Sequence, residues 1–241
     1  MIGTTPLLEA MLFALLAGLA MPLGAALAIW EHFSSARLHD RITHGVTAFG
    51  GGALGSAVAL VLVPEGAHRL DAPALAVGSF VAGGALFLLI DSWLSKRGGA
   101  GSQLLAMLLD FLPQAAALCV ILAVDEGTAL LLAGLIFLQN VPEGFSAFRE
   151  MTGTGHLTAR RVLPLFAALA LAGPACAAAG HLVLAEAPEV LGGIMVFAGG
   201  GVLYLVFQDV APAARRPDDG LPPFGAVMGF ALGLAGHLAV G

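Results

Sequence analysis

The feature that most constrains this chain is the spacing of its charged residues. Between them, apolar residues run on for the length a helix needs to cross a hydrocarbon core of about 30 Å. The runs cover residues 6–30, 42–66, 73–95, 101–123, 127–148, 161–185, 189–212 and 221–240. No water is available in a bilayer to satisfy an open backbone, so each run is expected to be a helix. The expected fold is therefore all-α: a polytopic membrane bundle of eight transmembrane helices, one integral-membrane domain over residues 1–241 with short connections. Composition agrees, since 59% of the chain is hydrophobic and 11% charged, against about 25% charged in a soluble domain. The N-terminal run lacks a basic leader region and reads as a first span rather than a signal peptide.

Orientation follows from where the cations fall. Arg37, Arg41, Lys96, Arg97, Arg149, Arg160, Arg161, Arg215 and Arg216 lie in or beside the odd-numbered connections, and Arg69 alone lies on the other side. Positive charge marks the cytoplasmic face. Both termini are thus expected outside, in a multi-pass protein of the cell (inner) membrane. No basic tract interleaved with aromatics points to nucleic acid. Cys119 and Cys176 fall inside apolar runs without a C-x-x-C pattern and read as small packing residues. Glycines at Gly50–Gly52, Gly83–Gly84 and Gly199–Gly201 would let helices approach closely, and their faces would allow a homodimer.

Polar groups inside the runs carry the functional reading. The fifth run contains Gln139-Asn140-Val141-Pro142-Glu143, and the fourth contains Asp110-Phe111-Leu112-Pro113-Gln114. The second ends on Val63-Pro64-Glu65, and the seventh holds Gln208-Asp209-Val210-Ala211-Pro212. Each proline withholds a donor from the carbonyl one turn earlier and tends to kink its helix. Side chains at i and i+4 share a face, so the motifs of the fourth and fifth runs each aim two oxygen-bearing groups the same way. Convergence of Asp110, Gln114, Gln139, Asn140 and Glu143 at mid-membrane would assemble two carboxylates and several neutral oxygens. That is a donor set for a dehydrated divalent cation. Glu65, Gln208 and Asp209, nearer the span ends, are candidates for a vestibule or a secondary metal position.

The motif "QNVPEG" in the fifth run resembles the "HNxPEG"-type signature of the ZIP (ZRT/IRT-like) divalent metal transporters. "GLAMPLG" in the first run and "QDVAP" in the seventh resemble that family too, most of all its prokaryotic GufA-like branch. The resemblance covers essentially the whole chain. It implies carriage of zinc, iron or manganese into the cytoplasm without ATP, by alternating access around a site between the fourth and fifth spans. In this comparison Asp110 stands where the family usually has His, and Gln114 where it has Glu. Phe111 replaces an Asn ligand, and Gly173 precedes Pro174 where the family often has Glu. Gln139, Asn140 and Glu143 match the ligand positions of the fifth span, and Gln208-Asp209 the pair that is often His-Glu.

The residues themselves lean toward harder ions than zinc, because the proposed site holds neither Cys nor His. The metal enters as transported substrate; no prosthetic group is implied. No H-E-x-x-H is present, so an intramembrane metalloprotease is not expected, and no catalytic residue is assigned. Two further readings stay open: a transport-dead homologue that binds metal or is purely structural, and a carrier of protons or organic solutes. Asp91 is expected to pair with Lys96 and Arg97, and His181 and His237 to be held between helices.

Overall fold

The computed structural model describes residues 4–30, 36–95, 126–153, 157–184, 187–217 and 219–240, with residues 104, 107, 108, 111, 112, 114, 115, 118, 121 and 122 between them. Among these residues the chain is helical apart from short connections, without strands. Helix α1 spans Thr4–Trp30 and α2 Ala36–Ala57, which continues through a π-helical turn (Val58–Leu62) into α3 (Val63–His68). Then come α4 (Pro73–Ser95), α5 (Glu126–Gly153) and α6 (Ala159–Leu184). Helix α7 (Pro188–Leu205) passes through a second π turn (Val206–Val210) into α8 (Ala211–Ala214), and α9 spans Leu221–Val240. Seven helices among the described residues are long and apolar enough to cross a membrane. Their bounds agree with the apolar runs to within a few residues. The fourth run, 101–123, lies largely outside the described residues; those that are described there are helical.

The prolines are accommodated in two ways. Pro22, Pro142, Pro164 and Pro174 sit inside continuous helices. Pro64 and Pro212 instead follow a π turn by one residue, where the Val63 N–H reaches back to the Val58 carbonyl and the Ala211 N–H to the Val206 carbonyl. The wider turn makes room where a proline ring would otherwise crowd the carbonyl of the preceding turn. Sequence reasoning expected the prolines to disturb the helix by a lost donor; at these two the helix widens just before the ring.

Glycines set how closely the helices approach. A Cβ on Gly24 would strike the Val141 carbonyl, and one on Gly144 the Met21 carbonyl, so α1 and α5 cross backbone to backbone. Facing glycines do the same for α2 and α9 (Gly52 on Ala226, Gly229 on Phe49) and for α4 and α7 (Gly83 on Phe197, Gly200 on Phe80). Such close crossings are how membrane helices associate when lipid removes the hydrophobic drive between them. The glycine contacts also fix direction. Helix α5 runs antiparallel to α2, with Gly50 against Pro142 and Thr47 beside Ser146. Helix α7 likewise runs antiparallel to α2–α3, with Gly51 against Val210 and Gly66 against Met195. Helix α4 runs parallel to α7.

The core lies where α1, α5, α6 and the 104–122 residues meet. Ala14, Ala17, Met21, Phe111, Leu118, Leu132, Ile136 and Phe166 are fully buried there. Helices α4 and α9 lie at the rim and expose large apolar side chains, among them Val77, Val81 and Leu89 on α4 and Phe224, Val227 and Leu238 on α9. Water would not tolerate so continuous an apolar face. A bilayer solvates it, which fits a polytopic membrane bundle.

Candidate functional site

Helix α5 presents its polar motif to three neighbours at once. Gln139 and Glu143 are four residues apart and share a face; Asn140 is turned about 100° from Gln139, toward α1. Pro142 rests on Gly50 of α2, where an added Cβ would come within 2.9 Å of its Cγ. The missing proline N–H leaves the Leu138 carbonyl without its helical donor, one turn before the ring.

Gln114 and Gln139 meet directly, Gln139 Nε2 donating to Gln114 Oε1 at 2.8 Å. Asn140 Nδ2 donates to the Ala17 carbonyl of α1 at 2.9 Å. The three amides are 1%, 2% and 0% exposed respectively, so each is cut off from solvent and lipid alike. Each keeps an atom with no hydrogen-bond partner among the described residues: Gln114 Nε2, Gln139 Oε1 and Asn140 Oδ1. A buried polar group left so costs about 1–3 kcal/mol, which calls for an explanation. Glu143 lies one turn beyond Gln139, half-buried at the α1–α5 crossing.

Chemically, the two orphan oxygens are neutral acceptors of the kind that replace water around a hard cation. The Gln114 amide nitrogen needs an acceptor, which a carboxylate or a water would supply. Among the described residues no three His, Cys, Asp or Glu side chains come together in a metal-binding group; the described oxygens of the cluster are those of the amides, with Glu143 one turn away on α5. Asp110, assigned to this cluster by its sequence motif, lies outside the described residues.

The peripheral candidates are placed elsewhere. Glu65 on α3 forms an ion pair with Arg69, Oε2 to Nη1 at 2.8 Å, and the same nitrogen donates to the Glu65 carbonyl at 2.7 Å. Gln208 and Asp209 lie in the second π turn and are exposed. Asp209 is within electrostatic reach of Asp91 and Glu150. Asp91 itself accepts a hydrogen bond from the Tyr204 hydroxyl of α7 at 3.0 Å, a partner that sequence reasoning passed over; Lys96 and Arg97 lie outside the described residues. His237 is exposed on α9 rather than held between helices, and the His181 side chain lies outside the description. The most informative contact that sequence reasoning missed is the Ala17 carbonyl. A backbone acceptor has no side-chain signature, and only the neighbouring "GLAMPLG" glycines hint that α1 comes close.

No protein-family model matches the chain, and no curated protein matches it.

Proposed function

We propose that the protein is a divalent transition-metal transporter of the ZIP type, carrying manganese, iron or zinc into the cytoplasm through the buried amide cluster. The observation that carries this reading is the pair of buried amide oxygens, Gln139 Oε1 and Asn140 Oδ1, that have no hydrogen-bond partner among the described residues, on the helix that carries Glu143. A cation bound there would satisfy both oxygens and would offset the cost of carboxylates in hydrocarbon. Coordination requires ionised carboxylates, so metal competes with protons on Glu143 and Asp110. Those two, with Gln114, Gln139 and Asn140, form the proposed ligand set.

The topology proposed with it has eight spans and both termini outside, in the inner membrane. What supports the eighth crossing is direction: α4 and α5 both run opposite to α2, which is the arrangement expected when one crossing separates them. What supports the orientation is the basic residues clustered at one end of the helices. Transport would proceed by alternating access, with the helices around the site rocking against the rest of the bundle.

A second reading has its own support. The direct bond between Gln139 and Gln114 is the kind of amide contact that glues membrane helices without any ligand, which is what a transport-dead homologue would keep. Uptake into proteoliposomes separates the two readings. Manganese, ferrous iron, zinc and cadmium are offered to the native protein and to the Glu143→Ala and Asp110→Ala variants, each checked for native helicity. Uptake by the native protein that both substitutions abolish supports transport through this site. Absence of uptake for every metal rejects it.

A further inference from the structure

Phe111 is fully buried, one helical turn ahead of Gln114. Its ring tip lies where two helices offer no side chain. A Cβ on Gly173 of α6 would come within 2.6 Å of Phe111 Cζ, and one on Gly18 of α1 within 3.0 Å of the same atom. The added Gly173 carbon would also meet the Ala14 carbonyl at 2.9 Å. The ring thus sits in a notch that exists only because both positions are glycine. The notch borders the amide cluster. Gly18 follows Ala17, whose carbonyl holds Asn140. Cys176, one turn past Gly173, donates its thiol to the Leu112 carbonyl at 3.1 Å and ties α6 to the residue after Phe111.

We infer that Phe111, seated against Gly18 and Gly173, is a specificity-determining plug that closes the α6 side of the amide cluster and confines it to a single cation. The inference rests on the transport reading above. A second divalent ion beside the first would need further anionic oxygens to offset the repulsion between the two charges. Among the described residues the α6 side offers an aromatic ring and a glycine there, neither with a side-chain donor for a cation. The contact also joins two departures from the resembled pattern into one. A Glu at position 173 would need the volume the ring fills, and an Asn at position 111 would leave a void against Gly173.

The test is manganese stoichiometry by equilibrium dialysis of the purified full chain, with the metal quantified per chain. The native protein is expected to bind one ion and the Phe111→Asn/Gly173→Glu double variant two. Two ions on the native protein, or one on a double variant that melts cooperatively, overturns the plug. A second measurement guards against a variant that fails to fold. Gly173→Ala is expected to lower the melting temperature, and Phe111→Leu in that background to recover part of the loss, since the shorter side chain clears the added methyl. Strictly additive effects of the two substitutions overturn the seating of the ring. A native protein that binds no metal but shows this coupling overturns the transport reading and the plug's bearing on a cation, and leaves the packing assignment standing.

Discussion

The α1–α5 crossing holds Asn140 against Ala17, and a single methyl group tests it. Gly144→Ala would drive a carbon into the Met21 backbone, whose carbonyl, Cα and carbonyl carbon all stand within ordinary contact distance of the added atom. Backbone cannot rotate aside as a long side chain can, so α1 and α5 must separate. Overpacking of this kind costs about 1–3 kcal/mol. Gly134 lies on the same helix ten residues earlier, where an added Cβ would meet nothing within 4 Å. There the same substitution gains helix propensity, worth about 0.5–1 kcal/mol. The two alanines should therefore differ by about 1.5–4 kcal/mol, from roughly tenfold to several hundredfold in the folding equilibrium. Reversible unfolding in mixed detergent and dodecyl sulfate micelles, followed by helical circular dichroism, measures both. Equal stabilities for the two variants would refute the close crossing, and with it the route by which Asn140 reaches α1.

Other expectations concern the contacts outside the amide cluster. Tyr204→Phe removes the hydroxyl that donates to Asp91; membrane side-chain hydrogen bonds average about 0.6 kcal/mol. A double-mutant cycle with Asp91→Asn should return a coupling of that order, and additivity would remove the bond from the account. On the soluble side, Arg41 donates to Asp219 at 2.7 Å, and the Leu221 N–H donates to the same carboxylate at 3.1 Å as α9 begins. Arg41 foremost, then the Leu221 N–H, holds Asp219 below its ordinary value of 3.8. A depressed folded value means that the stabilisation is fully present above the ordinary value and fades as pH falls through the folded one. The stability gap between the native protein and Asp219→Asn should accordingly be flat above about pH 5 and close in more acidic solution. A gap that persists unchanged at low pH would show that the carboxylate's charge contributes nothing.

How much of this was legible beforehand depended on the physical signal. Hydrocarbon imposes a length and a composition on every span, so the bounds of α1, α4 and α9 could be read from the runs alone. The Gln114–Gln139 contact was legible because two copies of one polar-proline motif lay on successive runs, and buried amides seek each other. The π turns were not: proline announces a lost donor, and whether the turn before it widens depends on packing. Here α2 and α7 meet with Gly51 on Val210 and Gly199 beside Val63. Gln208 and Asp209 repeat the pattern of the fifth run and lie in the second π turn, where both are exposed, as a place near a span end rather than in the amide cluster would have them. Phe111 and Gly173 read separately as lost ligands; only their contact makes them a fitted pair.

The central claim is that the orphan amide oxygens Gln139 Oε1 and Asn140 Oδ1 take part in holding a cation during transport. The most direct measurement is the initial rate of manganese uptake into proteoliposomes for Gln139→Leu and Asn140→Leu beside the native protein. Leucine keeps the volume and removes the oxygen, and helical content and melting verify the fold of each variant. The account predicts at least a tenfold loss of rate in each, about 1.4 kcal/mol or more of lost cation stabilisation. Native rates in both folded variants would contradict it and leave the amides as interhelical glue.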